Sequence, residues 1–324
     1  MEPTKTTPRS FKTTGFVLVA LAAATWASDG LFRRGLALEL PAGTVVMVEH
    51  VLLVLITLPL LVRALPVTKG FNRGDWLSLV LIGAGASALA TVLFTEAFAH
   101  GDPNTPLLLQ KLQPLFAIGG ATILLGERLL PRFGIYLLAA LGGAYLISFP
   151  EPLNVSISAL TPALLALGAA GLWGLGTVLG RRLTAKVAFG QLTALRFAVG
   201  LPATVAIVLV QDGGAALPSI DRQDAFALLL LALIPGLLGL LLYYRGLRDT
   251  PASAATLAEL AFPVAAITIN YIAFDATLVT TQWIGVAILS GAIATMGIAS
   301  SGGLRSIGIE LPAAPRGREE AARA

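Results

Sequence analysis

Seven ionisable side chains interrupt runs that are otherwise apolar: Asp29, Glu49, Glu96, Lys111, Arg196, Arg245 and Glu259, with His50 beside the second of them. A charge in an apolar interior is costly unless it is paired, hydrated or working on a ligand. The chemistry open to such a set is ion pairing, ion exchange and recognition of a polar solute. Covalent chemistry has little to work with. The chain holds no cysteine, which excludes thiolate nucleophiles, disulfides and thiolate metal sites. Two histidines, His50 and His100, are too few for a histidine-based metal site. No nucleophile–base constellation and no Walker motif is present. The expectation is therefore no enzyme activity, no cofactor and no metal.

Uncharged candidates accompany the charges. Gln110, Gln113 and Pro114 are three and four residues apart, on adjacent faces of one helix. Pro114 frees a carbonyl there, which apolar surroundings tolerate only beside a cavity or within the protein interior. Thr256 and Glu259 occupy the matching place before Pro263. They either wall a polar cavity or tie helices together. Trp26, Trp173 and Tyr243 either line the same cavity or pack, and Pro114 and Pro263 are expected to kink their helices.

The elements that must position these residues follow from composition. Apolar residues make up 56% of the 324 and charged ones 12%, against roughly 25% charged in a soluble domain. A spanning helix needs ~20 mostly apolar residues. Ten such stretches are predicted, over 15–37, 44–63, 76–99, 104–126, 133–149, 160–180, 189–211, 224–247, 252–274 and 280–301. Residues 1–14 and 302–324 read as disordered tails. The apolar stretch after Lys5, Arg9 and Lys12 runs on without a clean cleavage signature, so it reads as a helix rather than a signal peptide. The net charge of +4 is scattered over short loops, which argues against nucleic-acid binding. Placing both termini in the cytoplasm puts Arg63, Lys69, Arg73, Arg128, Arg132, Arg181, Arg182, Lys186 and Arg248 inside, and leaves Arg33, Arg34 and Arg222 in outer loops.

The chain also repeats itself. A shift of 149 aligns Ala97 with Gly246, Gln110 with Glu259 and Pro114 with Pro263, and a shift of 147 aligns Trp26 with Trp173 and Glu49 with Arg196. Five helices per half is odd, so the second half enters from the opposite side. The expected fold is an all-α membrane protein of ten transmembrane helices, in two five-helix inverted-topology repeats over 15–150 and 160–301. Inversion sends Lys111, Glu49 and Glu96 towards the outer side and Arg196, Arg245 and Glu259 towards the inner side. The expected ion pairs are Lys111 with Glu49 or Glu96, and Glu259 with Arg196 or Arg245, forming an outer and an inner gate. Asp29 falls near the midplane.

Residues 106–129, PLLLQKLQPLFAIGGATILLGERL, resemble the fourth-helix signature of EamA-like members of the drug/metabolite transporter superfamily. Leu195-Arg196-Phe197, Trp26 and Trp173-Gly174 are similar to that family's marks elsewhere, and the likeness covers about 15–301. Glu49 stands where the family's first half usually has arginine, Asp275 where the second half usually has glutamate, and Lys111 is an added charge. The resemblance implies ten helices around a central cavity and transport of a small organic solute: an amino acid, another metabolite or a drug. It implies a secondary transporter of a bacterial cytoplasmic membrane, working by alternating access. A proton or sodium ion as coupling partner, import against export, and a homodimer all stay open. The alternative is a membrane-embedded receptor, scaffold or enzyme without transport activity.

Overall fold

The computed structural model describes residues 13–125, 132–153, 157–184, 186–211, 218–247, 258–259 and 261–306. Every regular element among these residues is helical. The chain opens with α1 (Thr13–Ala27) and α2 (Asp29–Glu39), continuous but for a turn at Ser28. α3 (Ala42–Thr68) starts at Pro41, whose ring suits a helix entrance. α4 (Arg73–Val80) is set by a capping box between Asn72 and Asp75. It continues through a π-helical stretch, Leu81–Leu89, into α5 (Ala90–Ala99). After Gly101, whose φ of 91° needs glycine, come α6 (Asn104–Leu109), a 3₁₀ turn at Gln110–Leu112 and α7 (Gln113–Leu125).

α8 (Phe133–Ser148), α9 (Ile157–Leu183) and α10 (Phe189–Gln211) follow. α11 (Arg222–Leu231), capped by the Asp221 carboxylate, passes through a second π stretch, Ala232–Leu238, into α12 (Gly239–Leu247). α13 (Ala261–Phe274) and α14 (Thr280–Ser306) complete the order. The last helix thus runs past the expected end at residue 301 into the stretch read as tail. Among the described residues, seven segments are long and apolar enough to cross a membrane, beginning at Thr14, Ala42, Arg73, Asn104, Leu160, Phe189 and Arg222. Phe133–Ser148 and Ala261–Phe274 are shorter apolar helices.

The outer surface is apolar. Ile123, Leu138, Val210 and Ile272 are each more than 70% exposed, a distribution that suits lipid rather than water. Small residues bring the helices together. Gly143 on α8 and Gly285 on α14 face one another so closely that a Cβ on either would lie under 3 Å from the other's carbonyl oxygen. α3 packs along α10, α1 along α12, α5 along α9, and α7 along α9. A Cβ on Gly239 would meet the Trp26 indole at 2.6 Å, and one on Gly174 the α7 backbone at 2.9 Å.

Candidate solute site and buried ion pairs

The two repeat-related prolines each sit at or just after an irregular turn. Pro114 is the second residue of α7, directly after the 3₁₀ turn. Pro263 lies in the first turn of α13. Proline has no N–H to continue an α ladder, but is well suited to a helix's first turn. Pro114 thus sits at an irregular turn inside the Asn104–Leu124 span, and Pro263 in the first turn of α13. Lys111 lies in the first irregular turn, and Glu259 in a turn just before α13.

The turns meet because α6–α7 and α13 run antiparallel. At one end Asn270 Nδ2 donates to Asn104 Oδ1 at 2.8 Å, both residues fully buried. Two turns further in, Lys111 Nζ stands 3.6 Å from the centroid of the Phe262 ring. The Glu259 carboxylate is within electrostatic reach of Lys111 and accepts from Tyr243 Oη at 2.9 Å. The Tyr243 ring lies 4.9 Å from that of Trp26. Gln113 Nε2 donates to Thr177 Oγ1 at 3.2 Å, and Gln110 is partly buried beside Lys111. Trp173 meets Phe94 edge-on at 5.0 Å. Thr256 lies outside the described residues.

This corrects the expected ion pairs. Lys111 and Glu259, placed on opposite sides by counting depth along straight helices, belong to one cluster. Antiparallel crossing of α6–α7 with α13 brings them together. Glu49 is engaged instead by Arg33, which the sequence reading left in an outer loop. Arg33 is 2% exposed, within α2. Its Nε and Nη2 donate to Asp29 at 2.5 and 2.8 Å, and its Nη1 and Nη2 to Glu49 at 3.2 and 3.4 Å. Thr95 Oγ1 accepts from Nη1 at 2.8 Å. Glu96 contacts His100 at 3.2 Å. Arg196 reaches the Ala86 carbonyl on the first π stretch at 3.5 Å, and Arg245 is exposed. Lys111 with Glu49 or Glu96, and Glu259 with Arg196 or Arg245, are therefore not the pairs that these contacts form.

Two further features were not anticipated. His50 contacts the Val46 carbonyl at 2.9 Å and Ser87 Oγ at 3.1 Å, bracing α3 on the first π stretch. A cavity of about 480 Å³ opens between Ala99, Asp102, Thr105, Ser148, Pro162 and Gln282. Burial pushes the pKa of Asp102, in the loop before α6, above its ordinary value, while the Asn104 backbone and side-chain N–H groups oppose this.

The profile of the EamA-like transporter family matches residues 13–149 and again 160–298. The chain belongs to the EamA-like transporter family. The resemblance read from residues 106–129 is thereby confirmed over nearly the whole length. This EamA-like chain is 32% identical over 267 residues to the riboflavin transporter ImpX of Fusobacterium nucleatum subsp. nucleatum, covering 80% of this chain and 89% of that one. It also shares its fold with a protein of known crystal structure, at a TM-score of 0.59 and 16% identity over 92% of this chain and 99% of that one. As an EamA-like protein it is a multi-pass membrane transporter of small solutes.

Proposed function

We propose that this protein is a secondary transporter for a flat, aromatic, polar-edged solute of the riboflavin class, carried where the two irregular turns meet. The observation that carries this reading is the cluster at these turns. Lys111, Glu259, Gln110 and Gln113 supply charge and hydrogen bonds, while Trp26, Tyr243 and Phe262 supply ring faces. Interrupted helices near mid-membrane are a recurrent way to expose polar backbone to a solute. Aromatic faces suit a fused ring system, and a lysine, a carboxylate and amides suit its carbonyl and imide edge. The ImpX relative, named as a riboflavin transporter, supports the same solute.

The transport cycle is alternating access between two five-helix repeats of inverted topology, ten spans in all. Several features support it. The π stretches at 81–89 and 232–238 and the two prolines recur at about the 149-residue shift found in the sequence. Under the same shift, the packing of α1 on α12 corresponds to that of α9 on α5. Both termini lie in the cytoplasm of a bacterial cell, as the loop charges favour. Trp173 forms the far wall of the solute site. Asp29, Glu49, Arg196 and Arg245 act outside it.

The test is exchange of labelled riboflavin by the purified protein in liposomes. Saturable exchange, inhibited by unlabelled riboflavin and weakened by Lys111→Met, is expected. Exchange no faster than in protein-free liposomes, alongside robust uptake of a non-aromatic metabolite, would overturn the solute class.

A further inference from the structure

Arg33 holds two carboxylates, and one guanidinium balances only one of them. Its five N–H groups are all used: Nε and one Nη2 hydrogen on Asp29, one hydrogen each of Nη1 and Nη2 on Glu49, and the last of Nη1 on Thr95. Thr95 is itself fully buried and donates onward to the Thr91 carbonyl. The side chains of Arg33, Glu49 and Asp29 are 2%, 9% and 16% exposed. With both acids ionised, the group would carry one net negative charge inside a helix bundle, where an uncompensated charge is strongly unfavourable.

Among the described residues, Arg33 is the one cation bonded to Asp29 or Glu49. On α3, His50 follows Glu49 and is bound to the Val46 carbonyl and Ser87. Arg196 on α10 acts electrostatically on His50 and points to the Ala86 carbonyl. On α5, Glu96 is held by His100. α11 offers Leu228 and Leu231 to this region.

We propose that the Asp29–Arg33–Glu49 group is a proton site that couples transport to the pH gradient, with the proton carried on Glu49. The proposal deepens the transporter reading above and rests on it for the coupling. Glu49 is the carrier because its contacts with Arg33, at 3.2 and 3.4 Å, are the longer pair, whereas Asp29 is held at 2.5 and 2.8 Å. A proton needs one lone pair on a carboxylate oxygen. A hard metal cation needs roughly six oxygen ligands, and here all four carboxylate oxygens already receive guanidinium N–H groups. No group of three acidic, histidine or cysteine residues that could hold a metal occurs among the described residues.

The step is simple in its balance. A proton arrives through the more exposed Asp29 side, binds a Glu49 oxygen and cancels the net charge. Glu49 then relaxes its hold on Arg33, which keeps Asp29 and Thr95. On leaving, the proton restores the tie between α2 and α3. The tie communicates with the solute site through rings. The Arg33 guanidinium lies 5.8 Å from the centroid of Phe94, and Phe94 meets Trp173 at 5.0 Å. Trp173 sits one turn from Thr177, the partner of Gln113.

Two measurements test this, the first independent of any solute. With the protein in riboflavin-free liposomes, the infrared difference spectrum between acid and alkaline buffer should show the protonated-carboxyl bands of every carboxyl that titrates, Asp102 among them, and the readout is the component lost in Glu49→Gln. Asp29→Asn should lose the same component, because Arg33 then balances Glu49 one to one. A spectrum unchanged by Glu49→Gln places the proton elsewhere. A component undiminished in Asp29→Asn shows that charge imbalance is not its cause. Either result overturns the proposal.

The second measurement is riboflavin exchange against pH. The unmodified protein should show a limb approaching tenfold per pH unit, about the slope of a single-proton step, and Glu49→Gln should flatten it. An unchanged profile in Glu49→Gln overturns the coupling. If the unmodified protein exchanges no riboflavin, the transporter reading of the solute fails, while the infrared band still decides the proton site.

Discussion

Lys111 stands over the face of Phe262, its ammonium 3.6 Å from the ring centroid, and so ties the turn before α7 to the start of α13. The ring's negative face offsets part of the cost of carrying a cation at this depth.

Replacing Phe262 by leucine keeps the apolar volume and removes the ring. A desolvated cation–π contact is worth about 1–2 kcal/mol, so the apparent KM for riboflavin should rise roughly 5- to 30-fold. Concentration-dependent exchange in liposomes measures this. An unchanged KM would mean that the ring does not contribute to the solute site.

Asn104 and Asn270 are both fully buried, and Asn270 donates to Asn104 across the α6–α13 contact while its own Oδ1 is left without a partner. Asn270→Ala leaves the Asn104 carbonyl without that donor, a loss of about 1–3 kcal/mol, seen as a lower melting temperature in detergent. Asn104→Leu combined with Asn270→Leu removes both polar partners and should recover much of the loss. Strictly additive effects in the double variant would show that the two amides are not coupled.

Gly143 and Gly285 hold α8 against α14. A Cβ on Gly143 would fall 2.8 Å from the Gly285 carbonyl oxygen and 2.8 Å from the Leu289 nitrogen. Valine at either position must push the two backbones apart. Overpacking of this kind costs typically ~1–3 kcal/mol, and thermal unfolding of the purified variants reads it. Gly142 and Gly291 on the same helices meet nothing within 4 Å, so alanine there should leave the melting temperature nearly unchanged.

Reporter fusions check the orientation. A periplasm-active enzyme fused after Gly101 or Leu153 should be active, and one fused after Lys69 or Lys186 silent. Lys186 bridges Asp75 at 2.5 Å, which already places the loop before α10 beside the start of α4. The reverse pattern at all four sites would invert the bundle.

The sequence by itself determined the class of protein and the course of its helices. Apolar run length is a local property, so α3, the run from α4 to α5, the run from α6 to α7, α8 and α10 begin and end within about five residues of the stretches read from composition. The repeat-related prolines, the cluster of candidate polar residues around Gln110–Pro114 and Glu259–Pro263, and the family likeness were legible for the same reason. They are carried by residue type and spacing along the chain.

What only the tertiary structure decided is which charges meet. Arg33 lies near the outer end of the stretch 15–37, and its charge beside Arg34 points to the outer surface; α2 instead turns it inward onto Asp29, Glu49 and Thr95. Depth counted along unbroken helices puts Lys111 and Glu259 on opposite sides, whereas the irregular turns and the antiparallel crossing of α6–α7 with α13 put them in one cluster. Phe262 and the Asn104–Asn270 pair carry no local signal, since a phenylalanine or an asparagine in an apolar run could face lipid, a cavity or a neighbour. A partner in three dimensions is set by helix rotation and crossing. These depend on close approaches such as Gly143 on Gly285 and Trp26 on Gly239, which sum over the whole bundle and are not encoded at any one position.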